Sequence, residues 1–511
     1  MNVNLRERWR IALLVVLVLS SGAALFLPAI GADSGPTNLQ YGLELDGGAR
    51  VTAPVDGVTA DVNVSADDPV AFEDKVAAEL GVESTDVRAL PSENAVEAYN
   101  NVSTDELESA LTALDRPPEN VRTGVTATTR KAVARTVRNK INAAGLSGGN
   151  VQVADNKFIV IEVPNANGSD IRDLVRDRGV VRVVANYPVT ENGSTTYRNT
   201  TAISQEQISD VRPAGMYGQP PQAAVPITLT QNGADSFASV MSENGFTDSD
   251  ATTGSAGRGP NACAPGQNTV NDGYCILTIR DGEVVYSAAM SDDLAASIED
   301  GTFQETRQFQ ITAGDNMSQA RDLRVDLQAG ALPAPLDLEA GTDYFLSSEL
   351  AEDFKLYSLI TGLIAVLAVF GAVYARYREP WVAAPMVLTA LSEVVILLGF
   401  SAAIGLPLDL SYIAGFIAVI GTGVDDLIII ADEVMTQEVS SSRVFQSRFR
   451  KALWVIGAAA ATTIIAMSPL AVLSLGALRG FAIITILGVL IGVIVTRPAY
   501  GDILRARLTD H

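Results

Sequence analysis

Six long apolar stretches govern what this chain can become, at residues 11–30, 356–375, 381–404, 410–431, 452–475 and 480–495. Backbone placed in hydrocarbon has no water to bond with, so such stretches are driven into helices. Each reaches across a ~30 Å hydrocarbon layer, the last only with its flanks. One stretch stands alone at the amino end and five crowd the carboxyl end. The expected architecture is a multi-pass membrane protein with a six-helix transmembrane bundle. Residues 1–31 form the amino tail and first membrane helix, 32–355 a large α+β extracytoplasmic domain, 356–503 the other five helices and 504–511 a cytoplasmic tail.

Arg6, Arg8 and Arg10 precede the first stretch as in a signal peptide. Its twenty apolar residues exceed an ordinary signal core of about 7–15, so it reads as a retained anchor. Arg376 and Arg378 follow the second helix, Arg443, Arg448, Arg450 and Lys451 the fourth, and Arg497, Arg505 and Arg507 the sixth. The positive-inside rule makes that side, with both termini, cytoplasmic. Arg479, in the short outer turn before the last helix, is the exception. Of the net charge of −23, residues 32–355 carry −25, from 23 basic and 48 acidic side chains, and the remainder +2. Only six of the 36 basic residues are lysine. In molar salt the Debye length falls to about 3 Å and such self-repulsion fades. The pattern points to an extreme halophile, with an ordinary acidic surface as the alternative, and argues against nucleic acid as a partner.

Between the first two membrane helices, strand-like runs alternate with amphipathic helices, as two subdomains at about 38–190 and 225–345. A strand at 41–51 is interrupted by Gly47 and Gly48, and helices are expected at 69–80, 104–114, 126–144 and 170–178. Strands follow at 151–154, 158–163 and 180–184, then a loop-rich segment at 190–226. The second half offers a strand at 227–230, a helix at 235–243, and a hairpin of 274–280 with 283–288 about the turn Asp281-Gly282. A helix at 317–328 stops at Gly330, and Pro333 and Pro335 keep it from resuming. The sequence shows no nucleophile triad, phosphate-cradling glycine loop or metal-ligand cluster, and its sole histidine is His511. No enzymatic activity, cofactor or metal is expected. Cys263 and Cys275 bracket part of a Gly/Pro/Asn-rich insertion at 254–274, where a disulfide and two free thiols both fit and zinc does not. Asn-x-Ser/Thr sequons at Asn63, Asn101, Asn167, Asn192, Asn199 and Asn316 agree weakly with surface exposure.

Asp425 and Asp426 lie within the fourth apolar stretch, and Glu393 near the middle of the third. An aspartate at the centre of a membrane helix costs about 2.5–3.5 kcal/mol, so such residues mark ion or proton paths by default. At ~100° per residue the two aspartates point into different sectors. Asp425 shares a side with Gly421 and Asp432, making it the better candidate for a buried interface. Gly415, Gly421 and Gly423 allow another helix close to this wall. Glu393 fits a relay partner or a protonated acid bonded to a neighbouring helix. Thr462 and Thr463 fit a polar seam or bonds to their own backbone. No cation is expected deep in these helices.

These segments resemble the SecD family, membrane subunits that assist the Sec protein-translocation channel within the resistance-nodulation-division superfamily. Tyr-Gly-Leu-Glu-Leu-Asp-Gly-Gly at 41–48, including Gly42, Leu43, Gly47 and Gly48, is similar to the family's Leu-Gly-Leu-Asp-Leu-x-Gly-Gly, with Asp46 where a basic or amide residue is commoner. Residues 145–164 resemble its turn, strand, strand, Pro passage. LQAGALPAPL at 327–336, with Gly330, Ala331, Leu332, Pro333 and Pro335, matches its Gly-Ala-Leu-Pro-Ala-Pro-Leu signature. Residues 421–426 resemble Gly-x-x-Val-Asp-x-Asn, whose proton-coupling aspartate falls on Asp425; Asp426 and Leu427 depart from it, and Glu393 has no counterpart in the bacterial pattern. The family's Thr-Thr pair falls on Thr462 and Thr463.

The resemblance implies half of a pseudo-twofold bundle completed by SecF, which would supply the group opposite Asp425. It implies proton-driven motion of the outer domain on polypeptide emerging from the SecY channel. A small-molecule or lipid exporter of the same superfamily and a passive scaffold are the alternatives.

Overall fold

The computed structural model describes residues 9–27, 37–64, 68–146, 148–191, 194–218, 221–248, 274–313, 316–378, 380–435, 442–472 and 477–508. Arg6, Arg8, Asn192, Cys263 with most of its insertion, Arg507's side chain and His511 lie outside what is described.

The chain divides into two compact units: Met1–Arg50, Glu162–Asn167 and Tyr344–His511 form one, and Val51–Ile161 with Gly168–Asp343 the other. Among the described residues, six helices of the first unit are long and apolar enough to cross a membrane: Trp9–Phe26, Ser348–Tyr377, Val382–Ala403, Leu410–Met435, Arg443–Val472 and Leu478–Ala506. Glycines bring the fourth and sixth together. A Cβ at Gly415 would stand 3.0 Å from the Ile484 side chain, one at Gly480 2.9 Å from the Tyr412 ring, and one at Gly488 would overlap Val419. Gly399 packs on Ser21 in the same way, seating the first helix on the third.

Two expectations change in this unit. The exterior domain was expected to start at residue 32, but residues up to Arg50 group with the membrane helices. Backbone bonds show why: Gly42 N–H donates to Leu408 O at 2.8 Å and Leu408 N–H to Gln40 O at 2.9 Å, tying this segment to the connection between the third and fourth helices. The strand expected at 41–51 is instead a one-turn helix, Leu43–Asp46, followed by a strand at Gly48–Pro54. Gly47 at φ 73° and Gly48 at φ 127° make the turn between them. Leu43 and Leu45 are buried, so their spacing of two suited a strand equally well.

In the second unit, an antiparallel sheet in the order Val87–Leu90, Ala95–Ala98, Val58–Asp61, Asn120–Thr123 is covered by helices Pro69–Leu80 and Thr104–Ala113. Val76, Ala77, Leu107 and Leu111 from those helices share a core with Val58, Ala60, Val96 and Ala98 of the strands. A capping box between Ser103 and Glu106 starts the second of these helices. Helix Ala127–Ala143 carries Lys140, whose Nζ lies 2.8 Å from Asp326 Oδ1 with side chains only 1% and 3% exposed. Arg280 approaches the other oxygen of Asp326 at 2.7 Å.

A second sheet runs Glu283–Ala288, Cys275–Arg280, Val181–Glu191, Ser194–Ser204. Its hairpin turns at Asp281 and Gly282 with φ 48° and 84°, the positive values a two-residue type I′ turn requires. The segment expected to be loop, 190–226, is largely strand: Ser194–Ser204, Ile208–Val211, Gly215–Tyr217 and Gln222–Leu229. Ser194–Ser204 is exposed along most of its length, so it lacks the apolar alternation that advertises a strand, although threonine and tyrosine favour extended backbone. Helix Met317–Ala329 ends at Gly330 with φ 84°.

Candidate functional site

Two of the membrane acids, Glu393 and Asp426, are answered from within the chain by Arg497, contrary to the expectation that no cation lies deep in these helices. Arg497 Nη1 donates to Glu393 Oε2 at 2.8 Å, and Nε to Asp426 Oδ2 at 3.2 Å. Thr496 Oγ1 donates to the same glutamate oxygen at 3.0 Å. The Arg497 and Glu393 side chains are 1% and 2% exposed and that of Asp426 20%. Glu393 Oε1 is buried and has no hydrogen-bond partner among the described residues. One guanidinium faces two carboxyl groups, so the trio is charge-balanced only when it holds one proton.

Local sequence places the guanidinium there. Residues Gly492–Thr496 form a π turn, which inserts a residue and rotates the next turn by ~100°. The helix then resumes from Arg497 through Pro498, whose missing N–H suits an interrupted bonding ladder. A Cβ at Gly492 would overlap the Arg497 guanidinium, and one at Gly423 would lie 3.6 Å from both Arg497 Nη2 and Glu393 Oε2. Glycine at these positions leaves the ion trio its space. Arg497 was assigned to the cytoplasmic flank because the apolar run ends at residue 495; Ala499, Tyr500 and Leu504 are buried and carry the helix further.

Asp425 is exposed on the fourth helix, and a Cβ at Gly421 would meet nothing within 4 Å among the described residues. The two share an open face of this chain, while Asp426 and Gly423 turn inward. Asp432 accepts from Tyr377 Oη at 2.6 Å and pairs with Arg376 at 3.1 Å. Thr462 and Thr463 both donate to Ala459 O, at 2.8 and 3.0 Å. These are the backbone bonds open to them within a helix.

The motif residues are structural holdfasts. Arg178 donates from Nε to Leu332 O at 3.1 Å and from Nη2 to Pro333 O at 3.2 Å, while Leu332 N–H returns a bond to Arg178 O at 2.8 Å. Leu332 and Ala334 are fully buried, and Asp86 balances Arg178 at 2.9 Å. Burial pulls the Arg178 guanidinium below its usual range, against the raising influence of Asp86. At the other motif, Lys355 pairs with Asp46 at 2.7 Å. Cys275 begins a strand fully buried; Cys263 is outside the described residues.

Residues 332–498 match the family model for the C-terminal part of SecD/SecF protein-export membrane proteins, and residues 182–334 that for the SecDF P1 head subdomain. A protein-export membrane protein SecD of Haloferax volcanii is 49% identical over 99% of both chains. One from Haloquadratum walsbyi is 48% identical over 100% of both. Another from Methanolacinia petrolearia is 32% identical over 98% of this chain and 96% of its own. A solved SecDF from Thermus, a translocon-associated membrane protein, shares 18% identity with a TM-score of 0.49, covering 99% of this chain and 59% of that one.

Proposed function

Because this chain belongs to the SecD family of protein-export membrane proteins, we propose that it couples proton movement through its membrane helices to polypeptide export. It is an accessory membrane subunit of the Sec pathway, and its acidity suits the salt-rich settings of its haloarchaeal relatives. SecF supplies the other half of the bundle, and the pair serves the SecY channel. The exterior unit handles emerging polypeptide on the outer side, both termini being cytoplasmic.

The observation that carries this reading is the division of labour in the fourth helix. Asp426 is held inside the chain with Arg497 and Glu393, whereas neighbouring Asp425 lies on the open face. Asp425 takes and releases the coupled proton there against a group of SecF, and Glu393 with Asp426 forms the inner proton-holding pair. A potential of 100 mV supplies about 2.3 kcal/mol per charge, enough to bias a domain equilibrium of a few kcal/mol. In cells whose native gene is replaced by Asp425→Asn, late-stage export fails while the protein still assembles with SecF. Normal export by that variant would leave a passive scaffold as the better description.

A further inference from the structure

The geometry points to Glu44 and Asp409 as positioning residues: a reciprocal clasp fastening the head of the fourth membrane helix to the segment that continues into the exterior unit. The backbone N–H of Glu44 donates to the Asp409 carboxylate. In return, Glu44 Oε2 accepts from Leu410 N–H at 3.0 Å, the first residue of the helix that bears Asp425 and Asp426. Each acid thus satisfies a backbone donor on the other's segment. Bonds between Gly42 and Leu408, and between Leu408 and Gln40, run alongside. Gly42 is required, because a Cβ there would overlap the Asp409 carboxyl group. The motif glycine therefore makes room for the clasp, a role distinct from making a turn.

The clasp brings acids together with little compensation. Asp409 faces Glu44 and Glu162, with Arg50 the cation it senses, and Arg50 is already bonded to Glu162 at 2.6 Å. From the fourth helix Tyr412 packs beside it, within the field of Arg479 at the start of the sixth, and Lys355 from the second is engaged by Asp46. Burial, followed by the charges of Glu44 and Glu162, pushes the Asp409 carboxyl up to about 7. With its proton, Asp409 keeps an oxygen for Glu44 N–H and adds no charge. On losing the proton it places a third carboxylate among these groups and loosens the clasp. A proton arriving at this end of the bundle would fix the helix head to the chain leading outward.

The test is amide hydrogen exchange on the full chain in lipid nanodiscs in molar salt, from pH 5.5 to 8.5. Protection is read in peptides covering residues 43–46 and 408–414 and corrected for intrinsic exchange. In the unaltered chain, protection falls by about tenfold per pH unit up to near pH 7 and is level above it, a step that ends where Asp409 has given up its proton. Asp409→Asn keeps the acceptor for Glu44 N–H, so it stays protected and loses the step. Glu44→Gln removes one repelling charge and moves the step to lower pH, which loss of a purely structural contact would not do. Protection that is flat with pH in the unaltered chain, or a step that survives Asp409→Asn, overturns the proposal. The readout is independent of export. A step that obeys these rules beside an export-competent Asp425→Asn protein would retain the clasp and sink the coupling reading, and the reverse pattern would do the opposite.

Discussion

Replacing Arg497 with methionine preserves an unbranched apolar stem and removes the guanidinium. Glu393 Oε2 and Asp426 Oδ2 then lose donors at 2.8 and 3.2 Å. Removing one partner of a buried ion pair costs about 3–5 kcal/mol, mostly because the surviving charge has nowhere to go. Glu393 is 2% exposed and bears nearly the full penalty, whereas Asp426 at 20% is less enclosed by this chain. A loss of about 3 kcal/mol is therefore expected at neutral pH. Adding Glu393→Gln and Asp426→Asn to Arg497→Met removes the stranded charges and restores most of that loss, because well-packed neutral groups often replace buried ions without cost. The departure from additivity should reach about 2 kcal/mol. Equilibrium unfolding of the purified chain in lipid nanodiscs at fixed high salt measures it. Arg497→Met within about 0.5 kcal/mol of the unaltered chain, or a triple variant as unstable as the sum of its parts, would refute the pairing of these groups.

Gly492→Ala places a methyl group where the Arg497 guanidinium lies, so it should reproduce much of the Arg497→Met defect in the same unfolding assay. Protonation of Asp409 gives a stability term of defined sign. Its folded value of about 7 stands above the ordinary 3.8, so the folded chain holds this proton more tightly. The contribution is full below pH 3.8 and is lost as pH rises to about 7, amounting to about 4 kcal/mol at 1.36 per unit. Asp409→Asn should flatten that part of the stability profile. Cys263 and Cys275 are proposed to form a disulfide closing the intervening insertion. Digestion without reductant followed by mass spectrometry should then yield one linked peptide, and two separately alkylated peptides would exclude it.

Much of the architecture was legible because hydrocarbon imposes a length on every crossing helix, and because Asp281-Gly282 and Gly330 need the backbone angles they adopt. The acids of the third and fourth helices were legible for the same reason: charge at such depth is costly. Arg497 was not, since a π turn changed which face it occupies, and a local departure from 3.6 residues per turn leaves little trace in composition. The one-turn helix at Leu43–Asp46 was hidden because two buried leucines two residues apart serve either structure. Its position depends on Asp409, 365 residues beyond Glu44, and no local pattern encodes a bond over that distance.

Coupling of proton movement to the fourth helix is tested most directly by proton uptake into vesicles that contain this chain and SecF under an imposed pH gradient. The unaltered pair should admit protons, Asp425→Asn should reduce uptake to that of protein-free vesicles, and Asp425→Glu should keep part of it. Equal uptake by the unaltered and Asp425→Asn proteins would contradict the account.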